Sequence, residues 1–150
     1  MATEIEIPRP DDWHVHLRDD DMLAAVVGYT ARRYRYAMVM PNLATPVVST
    51  AQAAAYRARI MHHAPADAPD FRPVMALYCS LDLDLADLRW GVREGIVKAV
   101  KYYPAGATTN SEQGGTGLAN FMKLFEVLAE LEVPLLVHAE YVGVERKRRA

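Results

Sequence analysis

Between Asp12 and Val137 short apolar runs alternate with stretches of helical periodicity, and that alternation leaves few folds open. The apolar runs are Asp12–Leu17, Tyr36–Met40, Arg72–Tyr78, Ile96–Tyr102 and Pro134–Val137, with Ile5–Pro8 as a possible short leading strand. Most are continuously apolar rather than alternating, the signature of strands buried on both faces of a parallel sheet. Between them lie helix signals. Asp19 to Asp21 precede Met22, Leu23, Val26 and Val27, as acids precede an apolar stripe at a helix start. Ser49-Thr50-Ala51-Gln52 reads as a capping box for a helix running to about His63. Asp84 is placed to cap a third helix that turns Leu85, Leu88 and Val92 inward and ends at Gly95. Leu118, Phe121, Met122, Phe125 and Leu128 mark a fourth. Strand–helix repeated four times and then one more strand predicts an α/β protein. It is either an open doubly wound sheet or part of a (β/α)8 barrel. No glycine-rich phosphate fingerprint follows the first strand, which disfavours the nucleotide-binding version.

Composition removes several classes of function. The 150 residues carry a formal net charge of -2, which suits neither a nucleic-acid nor a membrane surface. No apolar run approaches the roughly 20 residues of a membrane span, and no signal-peptide pattern opens the chain. Cys79 stands alone, so an internal disulfide is impossible and a reducing compartment fits best. A cytoplasmic protein is expected.

The polar residues fall at telling places. His14 and His16, separated by one residue on a strand, share a face and can supply two nitrogens to one metal ion. Asn42 lies just past the next strand, Lys101 at the end of a later one, and His138 at the end of the last. In a parallel β/α protein all these strand ends open on one face, where the chemistry is carried. Lys98 and Lys101 point to opposite sides of their strand, Lys101 sharing its side with Val97 and Ala99. A protonated amine there, beside metal cations, is disfavoured by desolvation and like charge. Carbamylation would turn it into an anionic, two-oxygen metal bridge; snorkelling to water or pairing with an acid is the ordinary alternative. His62 and His63 suit the C-terminal end of a helix. Tyr29, Tyr34 and Tyr36 suit core and rim packing. The basic run Glu145-Arg146-Lys147-Arg148-Arg149 suits a solvated tail.

Four segments together resemble dihydroorotase of the bacterial single-enzyme type, within the amidohydrolase superfamily. They are Pro10-Asp11-Asp12-Trp13-His14-Val15-His16-Leu17-Arg18-Asp19, Met40-Pro41-Asn42-Leu43, Lys101-Tyr102-Tyr103-Pro104-Ala105 with Ala107-Thr108-Thr109-Asn110, and Leu135-Leu136-Val137-His138-Ala139-Glu140. The resemblance runs in order from about Ile5 to Glu140, making 1–140 the N-terminal part of such a protein and 141–150 a divergent basic tail. It implies a (β/α)8 TIM-barrel metal-dependent hydrolase, here truncated after about five strands, built around two Zn2+ ions. His14 and His16 would bind the more buried ion and His138 the other, with carbamylated Lys101 bridging them. Arg18 and Asn42 would hold the substrate carboxylate, and Thr108 and Thr109 would lie in a mobile, substrate-covering loop from Tyr103 to Gly117. The implied reaction is interconversion of N-carbamoyl-L-aspartate and dihydroorotate in pyrimidine synthesis.

The match is partial. A full barrel needs about 250 residues, and the family's remaining histidine ligand and its aspartate, a metal ligand and general base, have no counterpart here. A truncated or frame-shifted reading frame would account for the ending from Tyr141 onward. The isolated 150-residue product is therefore expected to be inactive or nearly so, and its open strand edges favour a homo-oligomer. Two alternatives remain: another cyclic-amide hydrolase such as a dihydropyrimidinase, against which Arg18 and Asn42 argue, and a non-catalytic half-barrel that self-associates.

Overall fold

The computed structural model describes residues 4–140. They form two compact units, one of residues 4–40 with 55–74, the other of residues 41–54 with 75–140. The basic tail expected over 141–150 lies outside the described residues.

In the first unit, β1 (Asp12–Val15) pairs in parallel with β2 (Tyr36–Val39), Asp12 opposite Ala37 and Val15 opposite Val39. Helix α1 (Asp20–Arg33) joins them. Its N-cap is Asp19, whose carboxylate accepts from the Asp20 N–H, and its first turn carries the acids that the sequence pattern indicates. Leu23, Val27 and Ala31 form the buried stripe, while Met22 is exposed: its position turns it away from the face that Leu23 shares with Val27. The beginning of β3 (Arg72–Tyr78) lies beside β2, with the Arg72 N–H donating to the Arg35 carbonyl at 2.7 Å. Two expectations fail. Ile5–Pro8 forms no strand, and Ile5 and Ile7 are 86% and 70% exposed. Tyr29 is 68% exposed rather than packed, because a helix position out of register with Leu23 and Val27 faces solvent.

The second unit holds the rest of β3, then β4 (Val97–Tyr102) and β5 (Leu135–Val137), each parallel to its neighbour. Tyr78 is opposite Lys101 and Lys101 opposite Leu136, so the C-terminal ends of these strands come level. Helix α2 (Thr50–His63) starts in this unit with the capping box intact. The Gln52 side-chain oxygen accepts from the N–H groups of Val48 and Ser49 at 2.8 and 3.1 Å, and Ser49 Oγ accepts from Gln52 N–H at 3.3 Å. Helix α3 (Leu85–Arg93) is capped by Asp84, whose carboxylate accepts from Ala86 N–H at 2.8 Å. It ends in a Schellman turn in which Gly95, at φ +72°, and Ile96 donate to the carbonyls of Val92 and Gly91. The fourth helix begins as a 3-10 turn, Leu118–Phe121, and continues as α4 (Met122–Glu130). Phe121, Leu124, Val127 and Leu128 are buried, but Leu118 and Met122 are exposed. The tighter turn at the start shifts the apolar stripe from an ideal 3.6-residue helix.

Candidate active site

The residues singled out in the sequence divide between the units: His14, His16 and Arg18 in the first, and Asn42, Lys101, Thr108, Thr109 and His138 in the second.

In the first unit, β1 ends at Val15, so His16 leaves the strand rather than lying within it. The pair still converges. His14 Nε2 and His16 Nε2 are 3.3 Å apart, and the rings are tilted by 49°. Asp12 sets this turn by accepting from the His14 N–H at 2.9 Å. Two nitrogens bound to one tetrahedral zinc at about 2.0–2.1 Å would stand about 3.3–3.4 Å apart. The donor spacing therefore fits a single metal ion. His14 is exposed and His16 half-buried.

Arg18 holds a left-handed backbone at φ +58°, unusual for a side chain of its size. Its carbonyl accepts from the Tyr56 hydroxyl at 2.6 Å, which helps hold that turn. Burial pushes the Tyr56 phenol well above its ordinary pKa, with the Asp19 charge adding to the effect, so it stays a donor. Arg18 Nη1 is buried with no hydrogen-bond partner among the described residues. A buried guanidinium nitrogen left unmatched is costly, and an anionic oxygen would satisfy it.

In the second unit, a cluster forms at the level strand ends. Lys101 is only 2% exposed, and among the described residues no carboxylate forms an ion pair with it. The acid-paired alternative for this lysine is thus absent there. Burial pushes the amine below its ordinary pKa, towards the neutral form. Its Nζ lies 5.2 Å from the centre of the Tyr103 ring. Tyr103 stacks on Tyr78 at 5.2 Å and approaches the His138 ring at 6.1 Å. His138 follows β5 directly; its N–H donates to the Tyr102 carbonyl at 3.0 Å. Its Nε2 is 2.9 Å from a Glu140 carboxylate oxygen. Metal-ligating histidines are held through one ring nitrogen in this way and coordinate through the other.

Asn42 is 1% exposed. Its amide accepts from the Tyr103 hydroxyl and donates to the Thr109 carbonyl, both at 2.9 Å. The 103–117 segment carries hydrogen bonds of its own. Pro104 bridges to Gly115, the Gly106 N–H donates to the Ser111 carbonyl, and Ser111 Oγ closes the Thr108 turn. Gly115 is required at its base, since a Cβ there would fall 2.3 Å from the Tyr102 ring. Thr108 and Thr109 sit on this segment, half-buried and exposed respectively.

Sequence reasoning gave Tyr78 and Tyr103 no role. Their signal was position alone, each at the C-terminal end of a parallel strand. Among the described residues no group of three or more His, Cys, Asp or Glu could hold a metal ion. No described helix is long and apolar enough to cross a membrane.

No protein-family model matches the chain. It is 51% identical over 141 residues to the dihydroorotase of Klebsiella pneumoniae subsp. pneumoniae, covering 94% of this chain and 40% of that protein. Its structure matches the dihydroorotase of Campylobacter jejuni with a TM-score of 0.82 and 33% identity, over 91% of this chain and 39% of that one. It also matches Saccharomyces cerevisiae dihydroorotase in complex with 5-fluoroorotic acid, with a TM-score of 0.82 and 28% identity, over 94% and 38%. The chain spans about two-fifths of the length of the relatives it matches. These matches bear out the resemblance to dihydroorotase and the partial (β/α)-barrel fold class.

Proposed function

We propose that this chain supplies part of a dihydroorotase active site, interconverting N-carbamoyl-L-aspartate and dihydroorotate. The observation that carries the proposal is the His14–His16 spacing of 3.3 Å, which suits one metal ion, on a chain half identical to dihydroorotases. Two zinc ions would be held by His14, His16, His138 and a carbamylated Lys101. When bound, they would acidify water and polarise a carbonyl. The neutral Lys101 amine is the form that carbamylation needs: its nitrogen lone pair attacks carbon dioxide, one proton leaves, and a carbamate anion results. Arg18 would pair its unmatched Nη1 with a substrate carboxylate oxygen, and the fork of its guanidinium suits two such oxygens. Asn42 would donate to the same carboxylate, with Thr108 and Thr109 closing over it. The 5-fluoroorotic acid bound to the yeast relative carries a carboxylate on a pyrimidine ring, which agrees with this substrate class. A dihydropyrimidinase reading gains nothing from the unmatched Arg18 Nη1, because its cyclic substrates lack a carboxylate to pair with it.

Zinc titration of the purified chain in bicarbonate, read by elemental analysis and intact mass, tests the proposal. Metal retention and a mass gain of one carbon dioxide, lost respectively in His14→Ala and Lys101→Met, are expected. Equal zinc content in wild type, His14→Ala and His16→Ala would refute it. Loss of a general base alone costs about 10²–10⁴-fold, so the 150-residue polypeptide assayed by itself should turn over carbamoyl aspartate at least that far below a complete enzyme, or not at all.

A further inference from the structure

The Asn42 amide sits between two different kinds of partner. The Thr109 carbonyl can only accept, so the atom 2.9 Å from it must be the amide nitrogen. Oδ1 then faces Tyr103, whose hydroxyl must donate. Tyr103 itself cannot easily turn: it is 1% exposed and stacked on Tyr78. The main chain of Asn42 is engaged as well. Its carbonyl accepts from Asn110 Nδ2 at 3.1 Å, and Asn110 takes φ +54°, which places that side chain back against residue 42. The base of the 103–117 segment is zipped independently, the Gly115 N–H donating to the Tyr103 carbonyl and the Ala105 N–H to that of Gly115. Only the tip, at Thr109 and Asn110, is bonded to Asn42, and the Tyr78 hydroxyl adds one longer bond there, to the Asn110 carbonyl at 3.5 Å.

We propose that Tyr103 is a positioning residue that locks the Asn42 amide donor-outward, and that Asn42 is thereby the latch for the tip of the 103–117 segment. Without the Tyr103 hydroxyl the amide can flip, presenting Oδ1 to the Thr109 carbonyl, where two acceptors repel and the latch opens. Under the dihydroorotase reading above, the second N–H of the same Nδ2 would be left for a substrate carboxylate, so that one locked amide could hold the tip and the carboxylate together. That consequence rests on the reading; the latch does not.

Amide hydrogen exchange of the substrate-free chain tests the latch. In Tyr103→Phe, exchange at Gly106 and Thr108, whose N–H groups reach across the tip to Ser111, should rise about three- to tenfold, the loss of one ordinary hydrogen bond, while β4 amides keep their protection. Asn42→Asp, which still accepts from Tyr103 but cannot donate to Thr109, should loosen the tip at least as much. The discriminating result is non-additivity: added to Asn42→Ala, Tyr103→Phe should change tip exchange no further. Additive effects, or an unchanged tip in Tyr103→Phe, would overturn the proposal. Carbamoyl aspartate is absent throughout, so failure here bears on the latch, while failure to bind that compound bears on the functional reading.

Discussion

Gly91→Ala sets two well-measured effects against each other. Gly91 lies inside α3, where alanine is favoured over glycine by about 1 kcal/mol from propensity alone. Packing opposes this. A Cβ at position 91 would stand 2.2 Å from Thr50 Oγ1, and 2.9 Å from both Thr50 Cγ2 and Val97 Cγ2. Thr50 is fully buried and has nowhere to retreat. It is β-branched and stiff about χ1, its Oγ1 donates to the Asp87 carbonyl at 3.0 Å, and its N–H donates to the Asp87 carboxylate at 2.7 Å. Breaking the hydroxyl bond costs about 0.5–1.5 kcal/mol, and overpacking a dense core about 1–3 kcal/mol. Subtracting the propensity gain leaves a net destabilisation of roughly 0.5–3.5 kcal/mol. Urea unfolding of the chelator-treated protein would measure it. Thr50→Ala in the Gly91→Ala background should recover part of the loss, because it removes the atoms in collision. A Gly91→Ala protein as stable as wild type would refute the reasoning. It would mean that α3 can lift from Thr50 and Val97 without penalty, and that the foot of the strand carrying Lys101 is less firmly set than the distances imply.

Two further predictions concern charge. Lys101→Met should raise the stability of the metal-free chain at neutral pH by about 1–3 kcal/mol, since it removes a buried polar group that no described carboxylate pairs. Urea midpoints in chelator decide this, and a less stable variant would show that the amine has a stabilising partner. The Arg59 guanidinium, bonded at 2.9 and 2.7 Å, holds the Asp19 carboxyl below its usual 3.8. A lowered folded pKa means the contribution is complete above 3.8 and disappears as pH falls through the folded value. Asp19→Asn, which keeps a capping oxygen, should therefore cost about 0.2–1 kcal/mol at pH 7, the range for partly exposed pairs. That difference should vanish in acid; thermal melts at both pH values check it, and a gap that persists or widens there would overturn the assignment.

Much of this arrangement was legible in the residues themselves, wherever the physics is local. Asp19, the Ser49–Gln52 box, Asp84 and Gly95 each act on backbone groups within a few positions, so their chemistry names the helix ends without any tertiary knowledge. The parallel strands followed from the same locality, because burial on both faces demands unbroken apolar runs. His14 and His16 were legible as a pair because one intervening residue places two side chains on one side of an extended chain. Distant partners were not legible. That Tyr103 would donate to an asparagine 61 positions away, or that Gly91 would be pressed against Thr50, depends on where the chain returns after whole helices. Ile5 and Tyr29, apolar or aromatic and yet exposed, failed for the same reason: composition says what a residue would gain by burial, and only the assembled chain decides whether anything is there to bury it.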